Sequence, residues 1–420
     1  MYRTFLDKTL FKQAVGACLQ KALLTGLVLM LNGCATESFL IPPASTHNAP
    51  SFPVANTGLQ SIASFDVYLN QGVIHLLVAG TLKENPAQIR VRYLHSDDGG
   101  QHWTLPSDVT TTPPMPIASR GNDIQLAVTD QKILALWQAQ GELPNMGPIV
   151  SAYSLDGGAT WASGTNPAAN NQGDQSHIDL AADRQGIFHA IWLEDPEENG
   201  YQSLRYAQSN QTGQHWEPSR TLDTSTCSCC WNTLLMSPLD ELKVLYRDME
   251  PRDMALIQSK DHGNAWQPAS TVGAFHWTFN GCPHIGGALA QADTADASLH
   301  SLVWTGADSR QGLYYLRSTD NGTSWTAPFR LGNKAMHSDI AANADAQLIA
   351  VWDEMRPDGT SIFMAQSQND GASWSSATPL SPINRLASHP RIINTAFGFL
   401  SLWTEKTSKN ASQLALAFFK

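Results

Sequence analysis

The chain has 420 residues, 37 acidic against 26 basic, a formal charge of −11, 42% apolar side chains, 30 Gly, 23 Pro and 13 Trp. This composition is globular, and an acidic balance with no basic stripe excludes a reader of nucleic-acid phosphates. Collagenous, disordered and multi-span membrane classes are also excluded, because a single long apolar stretch occurs and it stands at the extreme N-terminus.

In that N-terminal segment Arg3, Lys8, Lys12 and Lys21 precede the apolar run from Ala22 to Leu31. The run reads as an export signal, being too short to span a hydrocarbon core ~30 Å thick. Its end, Leu31-Asn32-Gly33-Cys34, resembles the lipobox of bacterial lipoproteins. That resemblance implies a signal peptide over 1–33, a lipid on Cys34 and, with Ala35 following, placement in the outer membrane of a Gram-negative cell. An ordinary secretory signal is the alternative. Residues 34–57, rich in Pro, Ser, Thr and Asn, read as a tether to the membrane.

Residues 58–420 repeat. Ser154-Leu155-Asp156-Gly157-Gly158-Ala159-Thr160-Trp161 is a complete S-x-D-x-G-x-T-W, and near copies carry Asp98, Asp261 and Asp320 at the same place. Weaker copies begin at Ser209, with Gln211 in the Asp position, and at Ser367, with Asn369 there. The chemistry is that of a hairpin turn: Ser and Asp bond local backbone groups, Gly takes a positive φ, and Trp plugs an apolar layer. These acids are therefore structural. The phrase resembles the Asp box of sialidases and other β-propellers.

Upstream of each turn stand two alternating apolar strands, the second ending in Trp or an equivalent, as in Ile178 to Trp192 and Ser338 to Trp352. This phrase occurs seven times, at about 52 residues per unit, enough for a four-stranded blade. The expected fold is all-β, a single closed propeller of seven four-stranded blades, or six if the first unit is partial. The last unit has three strands, so a strand near Phe52 to Ala55 should close the ring and hide both sheet edges.

In a propeller the first strand of each blade lines the central channel, which places His177, His337, His389, Cys230 and Cys282 at matched openings. With Cys34 lipidated, Cys227, Cys229, Cys230 and Cys282 remain for the exported part. Two readings stay open for them. One is a pair of disulfides, as expected in an oxidising compartment. The other is a metal site for Cu(I) or Zn on Cys227, Cys229, Cys230, Cys282 and His284, with His177, His337 and His389 as further axial candidates. His-x-Asp pairs read equally well as clamps on the next blade's first strand.

The boxes and the Thr226-to-Cys230, Tyr246-Arg247-Asp248 and Gly281-Cys282-Pro283 phrases together resemble a bacterial exported subset of the sialidase (neuraminidase) superfamily. That resemblance implies three arginines on a sugar carboxylate, a Tyr nucleophile assisted by Glu, and an Asp acid/base. The Phe/Tyr-Arg-Ile-Pro phrase that carries the first arginine is absent, so those roles cannot be carried over residue by residue. Arg120, Arg247 and Arg391, with Asp123, Asp179 and Asp339, are the substitute candidates. The leading expectation is an envelope lipoprotein propeller with an axial Cys/His site for a soft metal or a partner protein. The alternatives are a sialidase-type glycoside hydrolase acting on glycans, and a non-catalytic scaffold stapled by disulfides.

Overall fold

The computed structural model describes residues 52–53 and 56–420, except 111–115, 144, 196–200, 295, 358 and 384. The export signal, Cys34 and nearly all of the tether lie outside the described residues. Twenty-eight strands form seven antiparallel four-stranded sheets, and no helix occurs among the described residues. Six sheets run through four strands in chain order; in blade one these are Ser61–Asn70, Val73–Thr81, Ile89–Ser96 and Ser107–Asp108. The seventh takes Ala387–Thr395, Gly398–Ser408 and Ala411–Phe419 and borrows Phe52–Pro53, with Phe52 opposite Leu416. Closure is therefore the one expected from the sequence. Ser412 Oγ reinforces it by accepting from the Ile62 N–H and donating to the Ile62 carbonyl across the junction of blades seven and one.

Apolar alternation along each strand feeds cores that lie between neighbouring blades. The core between blades one and two holds Leu77, Tyr93, Leu126 and Trp137, and that between six and seven holds Val351, Ile392 and Trp403. The ring is thus held by interblade burial, at about 25 cal/mol per Å² of apolar area, and not by covalent closure.

The repeated turns do what the sequence pattern implies. Ser154 Oγ donates to Asp156 Oδ1 (2.8 Å) and accepts from the Gly158 N–H (2.9 Å), while Asp156 also takes the Thr160 N–H (2.9 Å). Ser259/Asp261 and Ser318/Asp320 repeat this, and Asn369 serves at Ser367. At Ser209 the structure departs from expectation: Asn210, not Gln211, takes the Asp role and accepts from the Gln214 N–H.

A second repeat locks the blades in pairs. His75, His189 and His300 hydrogen-bond Tyr93, Tyr206 and Tyr315 within one blade. Each Tyr lies under the turn glycine of the next blade and against the edge of its Trp, as Tyr206 does with Gly263 and Trp266. A Cβ at Gly263 would stand 1.7 Å from the Tyr206 hydroxyl, at φ +83°. Gly263→Ala combines a left-handed backbone with overpacking and is expected to cost about 2–4 kcal/mol, read as a lowered urea midpoint. Gly72→Ala, with open space around its Cβ and φ +81°, carries the backbone strain alone and should cost less.

Candidate functional site

The register of the first two strands of each blade fixes which residues ring the channel. Asp66, Gln125, Asp179, Thr233, Asp339 and Arg391 pair with Leu77, Leu136, Ile191, Leu245, Val351 and Leu402, each one residue before the Trp or its equivalent. Three carboxylates and one guanidinium therefore share a layer. Arg391 Nη2 stands 3.4 Å from Asp66 Oδ1 and its Nε 3.5 Å from Asp339 Oδ2, with Asp179 also bearing on it electrostatically. Each acid clamps the following blade: Asp66 accepts from the Leu126 N–H, Asp179 from Leu234 and Asp339 from Ile392, at 2.7–2.9 Å.

The electrostatics of this layer are set by burial against one positive charge. Burial pushes the Asp66 carboxyl up to about 6 and that of Asp179 to about 7, and raises Asp339; Arg391 pulls each back only in part. Burial alone would lower Arg391, but the three acids outweigh it and raise it. The folded state thus holds more protons than the unfolded chain between the ordinary carboxylate range near 4 and about 7. Stability contributed by this layer should be greatest at the acid end of that window and decline as pH rises through it. Asp179→Asn, which keeps the acceptor for Leu234, should flatten the decline in urea midpoint between pH 5 and pH 7, values on the order of the two shifted pKa values.

The other sequence candidates divide clearly. Arg120 donates to Asp123 (2.8 Å) and to the Phe65 and His389 carbonyls, and its guanidinium lies 4.1 Å from the Phe65 ring. Arg247 does not join this cluster: it is buried and donates to the carbonyls of Ile285, Arg252 and Trp304. Asp66 belongs to the ring although the sequence pattern did not single it out.

The described residues also hold two ligand-type clusters. Cys227, Cys229 and Cys230 are buried, with Cys227 Sγ 3.8 Å from Cys229 Sγ and 2.6 Å from Cys230 Sγ, and all four cysteines of the propeller are free. Cys229 also belongs to a set with Cys282 and His284, both exposed, whose donor atoms lie within 4.8 Å of one another. Hydrogen bonds from Cys229 and then Cys230 hold the Cys227 thiol low, with the Arg247 charge adding, while burial pushes Cys230 up. Among the three buried sulfurs, these contacts favour the ionised form at Cys227. His177 sits beside this group, its Nδ1 3.0 Å from the Gly121 carbonyl; burial holds its imidazole below the usual histidine range, with the Gly121 carbonyl and the Cys227 charge opposing.

The second cluster joins His337 and His389 to Asp353, an acid that the sequence reading passed over. The cysteines do not occupy the same ring position as these histidines. Counting from the paired layer, the places matching His337 and His389 are held by Trp231 and Ile285, with Cys230 one residue and Cys282 three residues earlier. The bulges before Asp179, Ser338 and Arg391 hid this offset from repeat alignment. Trp231 leaves the sulfur cluster and packs against both imidazoles, at 5.5 and 6.1 Å between ring centres.

No protein-family model matches the chain, and no curated protein matches it. Solved structures do. An ulvan lyase of a new polysaccharide lyase family, bound to -[GlcA(1-4)Rha3S]-, superposes with TM-score 0.58 at 10% identity, covering 88% of this chain and 96% of that one. A protein of unknown function from Dyadobacter fermentans gives 0.50 at 12% identity, covering 88% and 98%. An intramolecular trans-sialidase from Ruminococcus gnavus gives 0.49 at 12%, covering 89% and 97%. At these identities the likeness is one of fold.

Proposed function

We propose that this is an exported, lipid-anchored bacterial propeller whose axial face binds a soft metal ion, Cu(I) foremost, through Cys227, Cys229, Cys230, Cys282 and His284. The observation that carries the reading is that Cys229 is common to two donor sets, so four sulfurs and an imidazole from the entries to blades four and five form one continuous ligand field. Thiolates select Cu(I) or Zn over hard cations. The low-lying Cys227 and the Arg247 charge favour the anionic form that a metal needs.

The test is metal content and a thiol count on protein purified without reductant. The reading expects copper at one ion per chain and four alkylatable cysteines once it is chelated away. Four oxidised cysteines and no metal would contradict it and leave the stapled scaffold.

A second reading, a propeller that binds or cleaves glycans, has the support of the fold neighbours, which favour it over the metal reading; the metal reading rests on side-chain geometry. The axial cavity, lined by Arg120, Gln125, Asn232, His337 and Arg391, is polar, but at about 40 Å³ it holds a water and not a sugar ring, so this reading requires the cavity to widen. A sialidase mechanism has no spare arginine triad among the three candidates, since Arg247 is spent on carbonyls, Arg120 on carbonyls and Asp123, and Arg391 on acids. Release of the aryl group from an aryl sialoside, or cleavage of a uronic-acid polysaccharide, would favour this second reading.

A further inference from the structure

We propose that His337, Asp353 and His389 form a second cation site, separate from the sulfur cluster and suited to a borderline divalent ion such as Zn²⁺ or Cu²⁺. His337 stands in the first strand of blade six, Asp353 within its second strand, Leu348–Arg356, and His389 in the first strand of blade seven, so a bound ion would tie the two blades together. Their three donor atoms lie within 4.8 Å of one another.

Three observations point to a ligand here. Asp353 is fully buried, and the partners of its oxygens are His337 Nδ1 (2.8 Å) and the His389 N–H (2.9 Å). A buried carboxylate without a full positive partner is costly, and a cation between it and the rings would supply one. Arg120, whose charge reaches Asp353, gives its N–H groups to Asp123 and to the Phe65 and His389 carbonyls instead.

His389 Nδ1 is buried without a hydrogen-bond partner, 3.9 Å from Asp353 Oδ2. That is too long for a hydrogen bond, and it is about 0.5 Å wider than the spacing of two tetrahedral ligands at ~2.1 Å from one ion, so the atoms would close slightly on a bound cation. The His337 and His389 rings also stack at 3.7 Å and 12°, an arrangement that two imidazolium ions would not tolerate.

The donor set names the class of ion. Two imidazoles and one carboxylate with further positions open suit Zn²⁺, Cu²⁺ or Fe²⁺ and not Cu(I), which seeks sulfur. Trp231 roofs the site, and the adjoining cavity of about 40 Å³ has room for one water at ~30 Å³ to complete the coordination.

The experiment counts Zn²⁺ bound at equilibrium dialysis by the whole propeller and by three variants. His337→Gln and His389→Asn, the latter because His389 has φ 52° and Asn tolerates that region, should each bind one ion fewer than the parent. Cys229→Ser should keep this ion, so failure of the sulfur reading and failure of this one are told apart. Folded variants that bind as many ions as the parent would overturn the proposal. Should either variant fail to fold, Cu²⁺ EPR on the Cys229→Ser protein decides: nitrogen splitting from two imidazoles supports the site, and its absence overturns it.

Discussion

Arg391→Leu is expected to destabilise the propeller by about 2–3 kcal/mol at neutral pH, and by clearly less near the carboxylate range of pH ~4. Arg391 is the guanidinium on the ring that holds Asp66, Asp179 and Asp339. Breaking a buried ion cluster by removing one partner typically costs 3–5 kcal/mol, because charge is left uncompensated. The Arg391 side chain is 37% exposed to the channel, so solvent screening brings the figure to the low end of that range or below. Without Arg391 the three acids take up protons more readily still. Their repulsion is present at high pH and vanishes as pH falls through their raised pKa values, which gives the acid rescue its sign. Asp339→Asn in the same background should restore part of the loss, since the amide oxygen still accepts from Ile392 while one negative charge disappears. Urea denaturation at the two pH values measures all of this, and an equal loss at both would refute the electrostatic account.

Cys229→Ser should remove soft-metal binding, with affinity for Cu(I) in competition with a chelator falling by more than about 100-fold, beyond the ~10–100-fold typical of second-sphere changes. The reason is topological: Cys229 stands in both donor sets, so its loss leaves Cys227 with Cys230 on one side and Cys282 with His284 on the other. Cys282→Ser leaves the buried trio Cys227, Cys229 and Cys230 complete and should weaken binding less. Equal effects of the two substitutions would show that the five residues do not act as one site.

The architecture was legible because its determinants are local. A Ser–Asp–Gly turn needs its residues at fixed spacing, so it recurs in the chain as it recurs in space, and the shortfall of one strand in the last unit pointed to Phe52–Pro53. The His-x-Asp pairs also revealed half of their job, since Asp179 and Asp339 do clamp the next blade. What could not be read is convergence. Asp66 lies in Phe65-Asp66-Val67, without a histidine before it, and it reaches the Arg391 layer only through strand register. Asp353 follows Trp352 in Asp353-Glu354-Met355-Arg356, a polar stretch that reads as a solvated edge, yet it is buried and meets His337 and the His389 N–H. Arg247 failed for the opposite reason: its neighbours in sequence suggested a site, while three carbonyl groups absorb its donors. Strand pairing sets Cys230 one residue and Cys282 three residues ahead of the histidine register, an offset that an alignment of the openings does not reveal.

The metal reading meets its most direct test in X-ray absorption at the copper edge, recorded on the whole lipid-free propeller loaded with one equivalent of Cu(I). A first shell of two or three sulfurs, collapsing in Cys229→Ser, is the result expected here. A shell of nitrogen and oxygen alone, or copper lost to buffer exchange, would contradict it and leave the sulfur cluster a structural feature of a propeller whose axial cavity serves another ligand.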